Sequence, residues 1–345
     1  MIGTPVPSTE AVVAGTTATE PPARGGGALL RRVEPWVLVS VWALTTGVFS
    51  LLRSATFLST GNWANMLASQ APLVVLSLGL IVPLTAAEYD VSVGSIAGFS
   101  AMVLAVLNVN GHVPMVLALL AGLGSALVIG LINGVVTVYF GIDSLIVTLG
   151  MSNILGGLTL WISGSNTVTG LSQTLVNWTI IDRFAGIPYE FYGGIAVAIV
   201  VWLFLEHTIQ GRRLLVVGRS REVARLAGLR VARLRIGSFV ASALLSCVAG
   251  FLIAGTAGSA DPSNDLTLTL PAFAGAFLGA TTIRPGRFNS WGVVAAVYFL
   301  VTGVTGLQLL GAQTFVQDVF YGAVLIVGVI FSQLTRGRAS AADAV

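Results

Sequence analysis

The sequence predicts an all-α polytopic membrane protein of about ten transmembrane helices, with both ends in the cytoplasm. Three observations carry that prediction. The chain is 55% hydrophobic and only 9% charged, with a mean hydropathy of +0.91, where a soluble domain carries about 25% charged residues. Its apolar residues fall into runs near the length of a bilayer-crossing helix, about 20 residues. Its charge is concentrated: eight of the 17 basic residues, all arginines, lie in Glu206–Arg235, EHTIQGRRLLVVGRSREVARLAGLRVARLR. A basic island flanked by apolar runs belongs in water, and the positive-inside rule places it on the cytoplasmic side.

Taken in order, residues 1–32 are rich in Thr, Pro, Gly and Ala without apolar periodicity, and read as a disordered cytoplasmic tail. The membrane domain is expected over 33–335. Its candidate spans are 34–52, 63–86, 93–109, 113–139, 144–163, 190–206, 236–257, 268–283, 290–310 and 314–334, the third and eighth being short. Residues 336–345 form a cytoplasmic tail. With ten spans and the N-terminus inside, all the arginines except Arg53 and Arg183 fall on the cytoplasmic side. The longest external segments are then 164–189, with Trp161 and Trp178 placed as interfacial anchors, and 258–267, made acidic by Asp261 and Asp265.

Composition also excludes functions. The net charge of +3 reflects loop topology rather than affinity for nucleic acid. The chain has no lysine. A phosphate-binding GxxxxGK[ST] loop needs one, so any ATP-driven activity needs a partner. Cys247, the single cysteine, lies in an apolar run and reads as a core residue. His112 and His207 have no ligand companions at metal-binding spacing, and no metal or catalytic site is expected.

Within the loop 208–235, Ser220 is placed to cap a short helix over Arg221–Ala227, with Glu222 in its first turn and Gly228 as its stop. Arg221 and Arg225 share one face; Val223, Leu226 and Ala227 share another. Ala224, Ala227 and Gly228 are small enough for close approach by a partner. Two readings stand: a basic loop that only fixes topology, or a helix that docks into another protein.

The segment Glu88-Tyr89-Asp90-Val91-Ser92-Val93-Gly94 puts two carboxylates between apolar spans. At membrane depth such groups mark function; at the surface they are solvated, with Asp90 and Ser92 placed to cap the next span. Asn133, Thr148, Ser152, Asn153 and Thr159 are polar residues inside spans, and Thr148, Ser152 and Thr159 share one helical face. Asp90, Ser92, Asn133, Thr148, Ser152 and Asn153 are candidates for a translocation path; interhelical hydrogen bonding is the competing role. Glycine pairs such as Gly130 with Gly134 and Gly275 with Gly279 suit close helix packing.

Several stretches together resemble the inner-membrane permease subunit of bacterial ATP-binding-cassette sugar importers of the ribose, xylose and galactose type. The resemblance runs over about residues 35 to 335 and rests on FLSTGNWANML (57–67), EYDVSVGSIAGFSAMVLA (88–105), GLINGVVTVYFGIDSLIVTLGMSNILGGLTLWISGS (130–165) and GRRLLVVGRSREVARLAGLRV (211–231). Two places depart from the family pattern. Ala87-Glu88 replaces a glycine pair, and the stretch Gly279–Phe288 is more basic than the family's glycine-rich version. The resemblance implies a permease that forms the path for a monosaccharide and binds no cofactor itself. It implies a second permease copy, two ATPase domains that use ATP and magnesium, a periplasmic or lipid-anchored sugar-binding protein, and surrounding membrane lipids. On this pattern Ser220, Arg221, Glu222, Ala224, Arg225, Leu226, Ala227 and Gly228 would couple to the ATPase, and the external segments would meet the binding protein. A secondary active transporter of a small polar solute is the alternative, with Glu88 or Asp90 serving a coupling ion. An intramembrane enzyme is a third class, without a nucleophile and base to support it.

Overall fold

The computed structural model describes residues 34–263 and 267–342 of the chain, so the proposed tail 1–32 and Asp265 lie outside the described residues. Each of the ten apolar stretches contains an apolar helix. Eight are long and apolar enough to cross a membrane, and two, α1 (Val37–Leu52) and α10 (Thr269–Gly279), are shorter. The short members are therefore the first and eighth stretches. The third, α3 (Val93–Asn110), reaches spanning length through a final π-helical turn, Val106–Asn110.

The remaining spans are α2 (Thr60–Thr85), α4 (Met115–Tyr139), α5 (Ser144–Ser163), α6 (Tyr189–His207), α9 (Val231–Ala257), α11 (Ser290–Leu309) and α12, which is apolar over Thr314–Phe331 and runs on as helix to Ala342. Their ends follow local chemistry. Ser59 accepts from the Asn62 amide to start α2, Asp143 from Leu145 to start α5, and Asn289 from Gly292 to start α11. Gly164 and Gly258 stop α5 and α9 in the left-handed conformation.

Two helices of similar hydropathy, α2 and α5, have opposite environments: the apolar window of α2 is 83% buried and that of α5 only 22%. Leu73 to Leu84 of α2 are buried without a break and form the centre of the largest core cluster. α9 packs against α2, α3 and α4, and the small residues of α4 allow it. A Cβ on Gly130 would come within 2.8 Å of the Val240 Cα, and one on Gly134 within 2.9 Å of the Ile236 Cα. The backbones there touch, as the glycine pattern predicts. α10 is enclosed by α2, α11 and α12. α1 is fastened to α11 by the Trp42 indole, which donates to Thr302 Oγ1 at 2.9 Å.

The described residues of the predicted external segments form two short strand pairs. β2 (Arg183–Phe184) and β3 (Ile187–Pro188) form a hairpin whose turn residues, Ala185 and Gly186, both take positive φ. β1 (Val168–Thr169) pairs antiparallel with β4 (Ser259–Ala260), with Val168 opposite Ala260. The two segments expected outside thus meet each other. Trp161 and Trp178 are both exposed.

The basic stretch departs most from expectation. It is not a bare loop. α7 (Ile209–Arg219) and α8 (Arg221–Leu226) occupy it, and α9 begins at Val231, five residues before the expected span start. Arg233 and Arg235 therefore stand on the first turns of a spanning helix. α7 lies against the body of the protein through Gly211, Leu214 and Val217.

Candidate functional site

α8 starts as its sequence dictates. Ser220 Oγ accepts from the Val223 amide at 3.3 Å, Glu222 sits in the first turn, and the chain turns away at Gly228, φ +73°. The backbone closes accordingly: the Gly228 amide donates to the Arg225 carbonyl and the Leu229 amide to the Ala224 carbonyl, the mark of a left-handed helix stop. Its faces are divided. Ala224 is fully buried in a small cluster with Val217 and Val231, backed by Leu229 and Leu234. Val223, Arg225, Leu226, Ala227 and Gly228 are exposed, Leu226 at 84%. Val223, Leu226 and Ala227 thus form a small exposed apolar tip on an otherwise polar, basic element. Two of the expected coupling residues have partners within the chain. Ala224 serves the chain's own packing rather than approach by a partner. Arg221 is committed within the chain, its Nη2 donating to Glu88 Oε1 at 2.7 Å.

Glu88 opens the second part of the site. It is 2% exposed and accepts from both Arg221 and Arg235 Nε, so the carboxylate faces two guanidinium groups. Burial of a carboxylate is tolerated only with such pairing. The residues after it form a knot of hydrogen bonds. Tyr89 N donates to Ser144 Oγ at 3.0 Å and Val91 N to Thr148 Oγ1 at 3.1 Å, both on α5. Asp90 is fully buried; its Oδ1 accepts from the Ser92 amide and hydroxyl, and its Oδ2 from Ser242 Oγ of α9 at 2.8 Å. Asn133 of α4 donates to Ser92 Oγ at 3.0 Å, and Ser95 bonds Ser152.

Five of the six path candidates, Asp90, Ser92, Asn133, Thr148 and Ser152, therefore come together, as a packed knot that joins the 88–92 segment to α4, α5 and α9. Asp90, Ser92 and Asn133 bond one another, Thr148 bonds the backbone of Tyr89 and Val91, Ser152 bonds Ser95, and Asn133 Oδ1 is left buried without a protein partner. Asn153 does not join them; it is exposed on the outer face of α5. The proposed cap is corrected as well: Ser92 stands at the start of α3 without a side-chain cap bond and gives its hydroxyl to Asp90. Thr159 bonds the Leu155 carbonyl of its own helix. Sequence reasoning missed Arg235, Ser242, Ser144 and Ser95. One signal was present for Ser242: Ser238, Ser242 and Ser246 recur at a spacing of four in an otherwise apolar span, and all three are buried.

Beyond the knot lies a cavity of about 320 Å³. Gly94, Gly98 and Ala101 of α3 form one wall and Ile253 and Ala257 of α9 another; Thr167, Ser259, Asp261 and Thr267 supply polar groups at the end near the β1–β4 pair.

Comparison with known proteins gives this geometry its setting. Residues 62–329 match the family model described as the permease component of branched-chain amino acid transport systems. The L-arabinose ABC transporter permease protein of Azospirillum brasilense is 30% identical over 96% of this chain and 95% of its own length. The D-allose transport system permease protein of Escherichia coli is 29% identical over 85% of this chain and 90% of its own. The ribose import permease protein of Bacillus subtilis is 30% identical over 82% and 88%. No solved structure matches. A many-helix membrane body, matched over most of its length to transport permeases, places this chain in the family of multi-pass membrane permease components of ATP-binding-cassette importers.

Proposed function

We propose that the chain is the permease subunit that passes a monosaccharide, a ribose-like pentose or a hexose, across the cytoplasmic membrane in an ATP-driven importer. The observation that carries the coupling half of this reading is α8. It is a capped, glycine-stopped helix with an exposed apolar tip at Val223, Leu226 and Ala227, standing in the most basic segment of the chain. That tip would seat in a cleft of the ATPase, with Arg225 toward acidic groups on the partner. The chain carries no lysine for a phosphate loop, so hydrolysis belongs to the ATPase pair. The arginine distribution supports a ten-span topology with both ends in the cytoplasm, the side on which the ATPase acts.

The sugar half rests on the cavity between α3 and α9. Its walls of Gly94, Gly98 and Ala101 bring main chain close to a solute, while Thr167, Ser259, Asp261 and Thr267 offer hydroxyl and carboxylate partners to a polyol. The relatives named for L-arabinose transport, D-allose transport and ribose import support the substrate class. Glu88 and Asp90, the carboxylates the sequence offers to a coupling ion, are engaged by arginines and serines, and the buried Glu190 of α6 accepts from Thr256 Oγ1, which favours the ATP-driven reading over ion-coupled transport. A second permease copy completes the assembly, and a binding protein meets the β1–β4 surface. The test is uptake into vesicles holding the permease with its ATPase and binding protein, using D-ribose, L-arabinose and D-allose as the panel. ATP-dependent uptake of at least one sugar is expected; uptake that follows an ion gradient and ignores ATP would overturn the reading.

A further inference from the structure

Glu88 stands where the sequence leaves the family pattern, and its partners lie on two different elements. Arg221 reaches it from α8, and Arg235 from the first turns of α9. The two arginines differ in setting: the Arg221 side chain is 44% exposed and the Arg235 side chain 10%. Arg235 is thus a buried, fixed partner, while Arg221 reaches in from the boundary. The other tie between α8 and the body is apolar, through Ala224. Apolar contacts resist separation without fixing direction, whereas a charge-assisted hydrogen bond does both.

What Glu88 holds is also unusual. Ala87 before it takes φ +57°, a region that a side chain resists. Without a pause the chain then enters the Asp90 knot and α3, whose Gly94 and Gly98 line the cavity. α9 serves as a ruler for this path. Arg235 meets Glu88, Ser242 meets Asp90, and Ile253 lines the cavity. At 1.5 Å per residue these levels are separated by about 10 Å and then about 16 Å.

We propose that the Glu88–Arg221 pair is the link that passes movement of α8 to the 88–92 segment and on to the cavity wall, with Arg235 holding the Glu88 carboxylate in position. Glu88 and Arg221 are positioning residues for coupling: neither touches the solute or ATP. The inference rests on the reading of α8 as the ATPase-docking helix. Because α9 continues into the cavity wall as well, the pair gives α8 a purchase on both sides of the cavity, through α3 and through α9.

The test uses the complete transporter in vesicles, with three permease variants compared at equal inserted level. Arg221→Gln removes the link while Arg235 still pairs Glu88, so folding is spared. It is expected to capture the ATPase as the wild type does and to hydrolyse ATP, while sugar moved per ATP falls about tenfold. Arg221→Lys, which keeps a cation, is expected to recover part of that ratio. Leu226→Asp is expected to lose ATPase capture outright. A wild-type ratio of sugar to ATP in Arg221→Gln overturns the inference and leaves the docking reading intact. So does loss of ATPase capture in Arg221→Gln, which would make Arg221 a docking residue. Failure of both Arg221 variants to insert would make the pair a folding element, and also overturns it. Retained ATPase capture by Leu226→Asp removes the docking reading and the inference with it.

Discussion

Arg235 and Arg225 stand ten residues apart in one basic stretch and look alike in the sequence, yet the structure gives them opposite settings. Arg235 is buried on α9 against the Glu88 carboxylate; Arg225 is exposed on α8 beside the Leu226 tip. The difference shows that one charge cluster can hold its members in two settings. Its inner members neutralise a carboxylate drawn below the surface, which only paired burial permits. Its outer members stay solvated and remain available to a partner, with strength that salt can screen.

The comparison breaks most severely at Arg235. Replacing it with Ala leaves Glu88 buried with only the partly exposed Arg221, and the cost of about 3–5 kcal/mol for a buried charge left wholly unpaired sets the upper limit of the effect. The expected outcome is a large loss of thermal stability in detergent, read by size-exclusion after heating. Arg225→Ala should leave that melting behaviour unchanged. Equal melting of both variants would erase the distinction between the inner and outer arginines.

Gly228→Val gives the next largest effect. Its Cβ would meet nothing within 4 Å, so the cost lies in the conformation alone. Placing a β-branched residue at φ +73° costs of order 1–3 kcal/mol. ATPase capture is expected to fall while insertion stays normal. Ser220→Ala removes the cap from the same helix, at about 1 kcal/mol. A smaller loss of capture is expected, and a loss exceeding that of Gly228→Val would mean that the helix start, rather than its stop, sets the tip. Arg225→Glu is expected to have the smallest effect at physiological ionic strength and a larger one at low salt. A salt-independent effect would show that Arg225 acts by packing.

Much of this was legible in the sequence, for physical reasons that differ by region. The apolar helices were legible because the bilayer demands long apolar runs, and eight of the ten stretches hold a helix long enough to cross a membrane. α8 was legible because Ser220 and Gly228 encode its ends locally. The depth of the 88–92 segment was not, since Glu88 and Asp90 read the same whether solvated or buried. Their partners, Arg235 and Ser242, are 147 and 152 residues away. Hydropathy also failed to separate α2 from α5: both are apolar enough for a membrane, and only packing decides which faces protein. Asn153 shows the same limit, because polarity inside a span does not say which way a side chain points, and Asn153 is exposed where Ser152 beside it is buried.

The central claim is that the exposed tip of α8 meets the ATPase. A photo-crosslinking residue placed at position 226, in the complete transporter in native membranes, tests it directly. The account predicts a crosslink to the ATPase subunit from position 226 and none from position 172, in the segment expected outside. An ATPase crosslink from position 172, with none from 226, would contradict both the docking role and the orientation on which it rests.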